Sequence, residues 1–158
     1  MPTDFRYPGP PRTWPQIQLL RRVMRANALL RDLHEPHFAA IDLPMVEFDL
    51  LSALGNTDGM RMKALSQAMT TTPSNVTRVC LVMEEKGLVQ RQRAPGSDRE
   101  VIARLTPAGQ ALFDELFPKT VNYSAGIIDT ALTADEARVA AEILEKLIQA
   151  ARRPGTGS

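Results

Sequence analysis

A single cysteine, Cys80, in a chain of 158 residues excludes an internal disulfide and any metal site built from several cysteines. Long apolar runs are absent as well. No stretch approaches the roughly 20 residues that crossing a bilayer requires, so no membrane partner is expected. The first fourteen residues, MPTDFRYPGPPRTW, lack the apolar centre of a signal peptide, and a cytoplasmic protein is the expectation. There is no excess of one charge sign. Nineteen Lys and Arg against eighteen Asp and Glu leave +1, which excludes a uniformly basic protein but not a local basic patch. The marks of catalysis are missing too: no paired carboxylates in a motif, no nucleophile beside a base, no phosphate-cradling glycine loop, no metal-ligand set. Neither enzymatic activity nor a cofactor nor a bound metal is expected. His34 and His37, with Glu35 between them, would need further ligands to hold zinc.

What is present is the composition of a globular protein, 44% hydrophobic and 23% charged, at a length suited to one domain. Pro2, Pro8, Pro10, Pro11 and nearby Pro15 predict an extended arm over residues 1–13, with Phe5 and Tyr7 available for docking. Residues 153–158 read as a flexible tail. Between these ends one domain, 14–152, is expected. Thr13 is placed to cap a helix carrying Ile17, Leu20, Val23, Met24, Leu29, Leu30 and Leu33 at near-helical spacing, and Pro36 should end or kink it. A second helix runs from about Pro44 through Val46, Leu50, Leu51 and Leu54 to the stop signal Gly55-Asn56.

Residues 60–105 hold the most information. A short extended piece, Met60–Met62, precedes a short helix, Ala64–Met69, with Leu65, Ala68 and Met69 facing inward. Thr72 is an N-cap and Pro73 a first helical residue, so another helix starts there and runs to Lys86, with Gly87 just beyond its end. Val76, Val79, Cys80 and Met83 form its inward stripe. Two strands, Leu88–Arg93 and Glu100–Leu105, flank a turn at Ala94-Pro95-Gly96-Ser97-Asp98. Thr106-Pro107 opens a long helix with Leu112, Leu116, Ile127 and Ile128, which Pro118 should kink or split. The capping box Thr133–Glu136 opens the last helix, with Val139, Ile143, Leu144, Leu147 and Ile148 apolar.

This order predicts a mainly α fold with a small β-wing, the winged helix-turn-helix occupying about 44–105. Such a fold points to double-stranded DNA. Thr72, Ser74, Asn75, Thr77 and Arg78 sit at the start of the second helix of the pair, where short polar groups and a cation reach phosphates and base edges. Arg99 on the wing suits a minor groove. Arg91 and Arg93 either touch phosphates or solubilise the hairpin. From Met60 to Leu105 eight cations face four anions, a local +4 that leaves −3 for the rest of the chain.

The runs Arg61–Met69, Ser74-Asn-Val-Thr-Arg78, Met83-Glu-Glu-Lys-Gly-Leu-Val89 and Arg104-Leu-Thr-Pro-Ala-Gly109, with Leu43–Leu51 before them, resemble the MarR family of bacterial regulators over about 14–150. The resemblance implies a homodimer held by interlocking terminal helices, about 14–36 and 107–152, and a pseudo-palindromic operator. It also implies repression relieved by a small aromatic or phenolic effector. Two departures stand out. Leu81-Val82 occupies the place of a frequent Asp-Arg pair, and Ser97 the place of the usual wing aspartate, with Arg99 at the usual arginine. The Leu81-Val82 pair is either core or an exposed apolar contact.

His34, His37, Phe38, Met45 and Phe48 are candidates for an effector pocket, the alternative being a helix end with surface imidazoles. Cys80, on the inward stripe, reads as a small buried hydrophobe. The competing function is a winged-helix protein-interaction module with weak DNA binding, motivated by Leu81-Val82 and the near-neutral total charge.

Overall fold

The computed structural model describes residues 14–97 and 99–152. The proline-rich arm, the Thr13 cap, Asp98 and the tail lie outside the described residues. Among the described residues nine elements follow one another: α1 (Trp14–Ala40), α2 (Met45–Leu54), β1 (Met60–Arg61), α3 (Met62–Ala68), α4 (Pro73–Glu85), β2 (Val89–Arg93), β3 (Val101–Leu105), α5 (Pro107–Asp129) and α6 (Ala134–Arg152). Tertiary contacts divide the chain into two compact units, Met1–Phe48 and Asp49–Ser158.

In the first unit α1 does not stop at Pro36 but continues to Ala40. A proline within a helix costs one backbone hydrogen bond and strains the preceding turn. The last turn is held in compensation by Phe38, which is buried and sits against Phe48 with ring centroids 5.5 Å apart. The turn that follows closes with Leu43 N–H donating to the Phe38 carbonyl, and Asp42 takes a left-handed φ of 52°.

In the second unit Leu50, Leu51, Leu54, Leu65, Val76, Val79, Cys80 and Met83 are almost wholly buried and form the centre of the core. The inward stripe of α4 matches its sequence reading residue for residue. In α3 the buried positions are Leu65 and Ser66, whereas Ala68 faces solvent. The helix begins two residues earlier than the periodicity predicts, and Ser66 settles inward by donating its hydroxyl to the Lys63 carbonyl. The sheet is antiparallel in the order β1-β3-β2, with Met60 opposite Ala103 and Arg91 opposite the same residue from the other side.

The Leu105-Thr-Pro-Ala-Gly109 element has a physical explanation. Thr106 Oγ1 donates to the Gly87 carbonyl at 2.7 Å and accepts from Gly109 N–H at 3.1 Å, tying the end of α4 to the start of α5. Gly87 has φ 71°, the left-handed position that ends α4. Gly109 lies so close that a Cβ there would collide with the Leu88 carbonyl oxygen. Helix α5 runs unbroken through Pro118, because Phe113, Leu116 and Thr120 are buried on both sides of it and hold the helix in register. The capping box is present, with Thr133 N–H donating to the Glu136 carboxylate and Glu136 N–H to the Thr133 hydroxyl. No residue of α6 is buried.

Candidate nucleic-acid interface

Helix α4 starts because Thr72 accepts a hydrogen bond from Asn75 N–H at 3.3 Å and Pro73 supplies a preset φ at the first helical position. With Val76, Val79, Cys80 and Met83 turned inward, Ser74, Thr77, Arg78, Leu81 and Glu85 form one outward face. Its first half is polar and cationic, and the helix N-terminus adds partial positive charge there.

Four of the expected contact residues carry internal duties. Asn75 is half-buried, and both ends of its amide are used: Nδ2 donates to Thr71 Oγ1 at 2.9 Å, and Oδ1 accepts from Arg78 Nη2 at 2.9 Å. It acts as a strut that aims the exposed Arg78 guanidinium. Thr77 donates its hydroxyl back to the Pro73 carbonyl, and the Thr72 hydroxyl also meets Ser74 Oγ at 3.1 Å. Leu81 is 46% exposed and Val82 intermediate, so the pair splits between surface and flank.

At the wing, Ser97 closes the turn through its side chain. Its hydroxyl accepts from Arg99 N–H at 3.4 Å and from Glu100 N–H at 3.1 Å, and Gly96, with φ 77°, completes the turn. Arg99 and Arg93 are exposed. Arg91 is not part of that surface. Its Nε donates to Glu84 at 2.7 Å and its backbone N–H to the other carboxylate oxygen at 2.9 Å, so it clamps β2 onto α4 in a half-buried pair. Sequence reading missed this clamp, because the partners lie on different elements and only the fold aligns them. Burial pushes the Cys80 thiol up to about 11, with the Arg91 charge opposing that rise, so the residue is an inert core group.

The expected effector residues lie in the first unit and divide. Phe38 and Met45 line a cleft of about 430 Å³ together with Arg31, Asp32, Glu35 and Asp42. His34, His37 and Phe48 are not among its walls. His34 Nδ1 lies 2.6 Å from the Leu30 carbonyl, His37 meets the Phe38 ring edge-on at 5.4 Å, and desolvation with the nearby His34 holds the His37 imidazole below its ordinary pKa. The charged rim of the cleft was not legible in the sequence, since the helix alone does not say which acids face the α1–α2 turn. Among the described residues, no group of three or more His, Cys, Asp or Glu could hold a metal ion, and no helix is long and apolar enough to cross a membrane.

Residues 43–101 match the MarR family. An uncharacterized HTH-type transcriptional regulator of Bacillus subtilis, YhjH, is 31% identical over 83 residues, which cover 52% of this chain and 47% of that protein. The chain thus spans about half the length of this relative. Among solved folds, the MarR family regulator Sco3205 of Streptomyces coelicolor in complex with DNA superposes with a TM-score of 0.80 at 21% identity, covering 96% of this chain and 94% of that one. BpsR of Bordetella bronchiseptica, whose DNA binding is regulated by 6-hydroxynicotinic acid, superposes at 0.74 with 21% identity, covering 82% and 98%. At such identities these are likenesses of fold. The matched segment is centred on the helix-turn-helix and wing, and over that segment the chain is similar to the MarR family of transcriptional regulators.

Proposed function

We propose that this protein is a homodimeric, sequence-specific DNA-binding repressor. The observation that carries the reading is the outward face of α4: a capped N-terminus presenting Ser74, Thr77 and an Arg78 aimed by Asn75, with Arg99 on the neighbouring wing. In this reading α4 enters a major groove, Arg78 contacts a base edge or phosphate, and Arg99 enters the adjoining minor groove. Thr72 and Arg93 flank these contacts on the backbone. Two copies would place their α4 helices about one helical turn of DNA apart, which calls for a pseudo-palindromic operator. Occupation of a promoter then represses by exclusion. The work is that of a cytoplasmic, non-enzymatic protein.

Dimerisation is supported by the apolar residues left outside the core. Leu20, Met24, Leu29 and Leu33 on α1 and Val139, Ile143, Leu144, Leu147 and Ile148 on α6 are all exposed, more apolar surface than a monomer sustains comfortably in water. A small-molecule effector is supported by the cleft beside Phe38 and Met45 and by the ligand control of BpsR. A ligand that favours another spacing of the two α4 helices lowers affinity for the operator.

The competing reading, a protein-interaction module, rests on the exposure of Leu81. Fluorescence anisotropy decides between them, using DNA from upstream of the protein's own gene and an unrelated duplex over a salt series. The regulator binds the upstream DNA preferentially and loses affinity steeply as salt rises, and Arg99→Ala weakens it on both duplexes. Weak binding without preference or salt dependence sinks the reading.

A further inference from the structure

Beside the wing lies a groove of about 420 Å³ whose charged lining is Arg61, Lys63, Arg99 and Glu100, three cations and one carboxylate. None of the readings above gives Arg61, Lys63 or Glu100 a role. Arg61 ends β1 opposite Ile102 of β3, and its Nε reaches diagonally to Glu100 at 3.1 Å. Both side chains are at least half exposed, at 64% and 50%, so the pair is weak and readily exchanged. Arg99 connects this groove to the DNA-facing surface, because the same side chain forms part of its wall and stands on the wing.

We propose that the groove is an additional phosphate site for duplex DNA, in which Arg61 leaves Glu100 and takes a backbone phosphate, with Lys63 beside it. The proposal rests on the DNA-binding reading and deepens it. A phosphate competes well with the carboxylate, since each contact releases condensed counterions from the duplex and Glu100 returns to water. Glu100 is then an internal competitor. It occupies Arg61 in the free protein and lowers affinity for all DNA alike, leaving sequence preference to α4.

The phosphate contact is independent of sequence, so a fluorescently labelled duplex of unselected sequence is a sufficient probe. Wild type, Arg61→Ala, Arg61→Lys, Glu100→Gln and the Arg61→Ala/Glu100→Gln double variant are titrated over a salt series, with melting temperatures confirming equal folding. Loss of one phosphate contact flattens the slope of log K against log salt by about 0.9 in Arg61→Ala, while Arg61→Lys keeps it. Glu100→Gln tightens binding about threefold at low salt, the scale of releasing an exposed ion pair, and this gain disappears when Arg61 is absent. An unchanged slope in Arg61→Ala overturns the proposal. So does an equal gain from Glu100→Gln with and without Arg61, which would make Glu100 a distant repulsive charge. Wild type that binds duplex with a salt slope insensitive to Arg61 defeats the groove alone. Wild type without salt-dependent binding defeats the DNA-binding reading as well.

Discussion

Helices α4 and α6 are both amphipathic, yet they resolve their apolar stripes in opposite ways. On α4, Val76, Val79, Cys80 and Met83 are at most 1% exposed, packed into the core of their own unit, and the outward face is polar at its start. On α6, Val139, Ile143, Leu144, Leu147 and Ile148 stand 41–45% exposed, and no residue of the helix is buried. One stripe is satisfied within the chain and the other is not. The same periodicity therefore describes a core helix whose free face is available to nucleic acid, and a helix whose apolar face calls for a second protein surface.

The difference can be tested by damaging each stripe in turn. Met83→Ala should be the most harmful to folding, because it opens a cavity in a fully buried site. A loss of about 2–5 kcal/mol is expected, read as a lower denaturant midpoint at unchanged slope. Leu147→Asp should leave the winged module folded by circular dichroism but shift the dimer to monomer in sedimentation, with association weakened by about 2 kcal/mol or more as a charge enters an apolar interface. A fold lost together with the dimer would show that α6 belongs to the core after all.

On the outward face of α4, Arg78→Ala should cost about 1–3 kcal/mol of operator affinity if it reads a base. Asn75→Ala should follow it at smaller magnitude, since its effect passes through the Arg78 hydrogen bond. In the double variant the two losses should be less than additive. The smallest effect concerns Cys80. Its pKa is raised on folding, so its contribution to stability is complete below the thiol's ordinary value of 9.0 and is lost as pH climbs toward about 11. Cys80→Ser should remove that alkaline slope, and iodoacetamide should label the wild-type thiol only under unfolding conditions.

Much of the fold was legible because its signals are local. Thr72-Pro73, Thr106-Pro107 and Thr133–Glu136 each start a helix with a hydrogen bond spanning three residues, so a short stretch of sequence is enough to recognise them. The same locality left Pro36 and Pro118 open between a kink and a break, and neither helix breaks there. A proline's cost is visible in sequence, whereas the packing of Phe38 on Phe48, or of Phe113 and Leu116 along α5, is not. The candidate site was legible as a set of residue types but not as a division of labour. Asn75 supports Arg78, Arg91 is a clamp, and Ser97 closes the wing turn by accepting two backbone N–H groups.

By itself, then, the sequence determined the order of elements, the apolar stripes they carry, the family they resemble and the concentration of positive charge around the wing. Helical period, capping chemistry and composition are properties of neighbours along the chain. Only the tertiary structure decided which cations are committed and which are available: Arg91 to Glu84, Arg61 to Glu100, Arg99 standing at the wing. A charge's partner is set by distances of about 3 Å between side chains on different segments, and those distances exist only once β1 has paired with β3 and β2 has packed on α4.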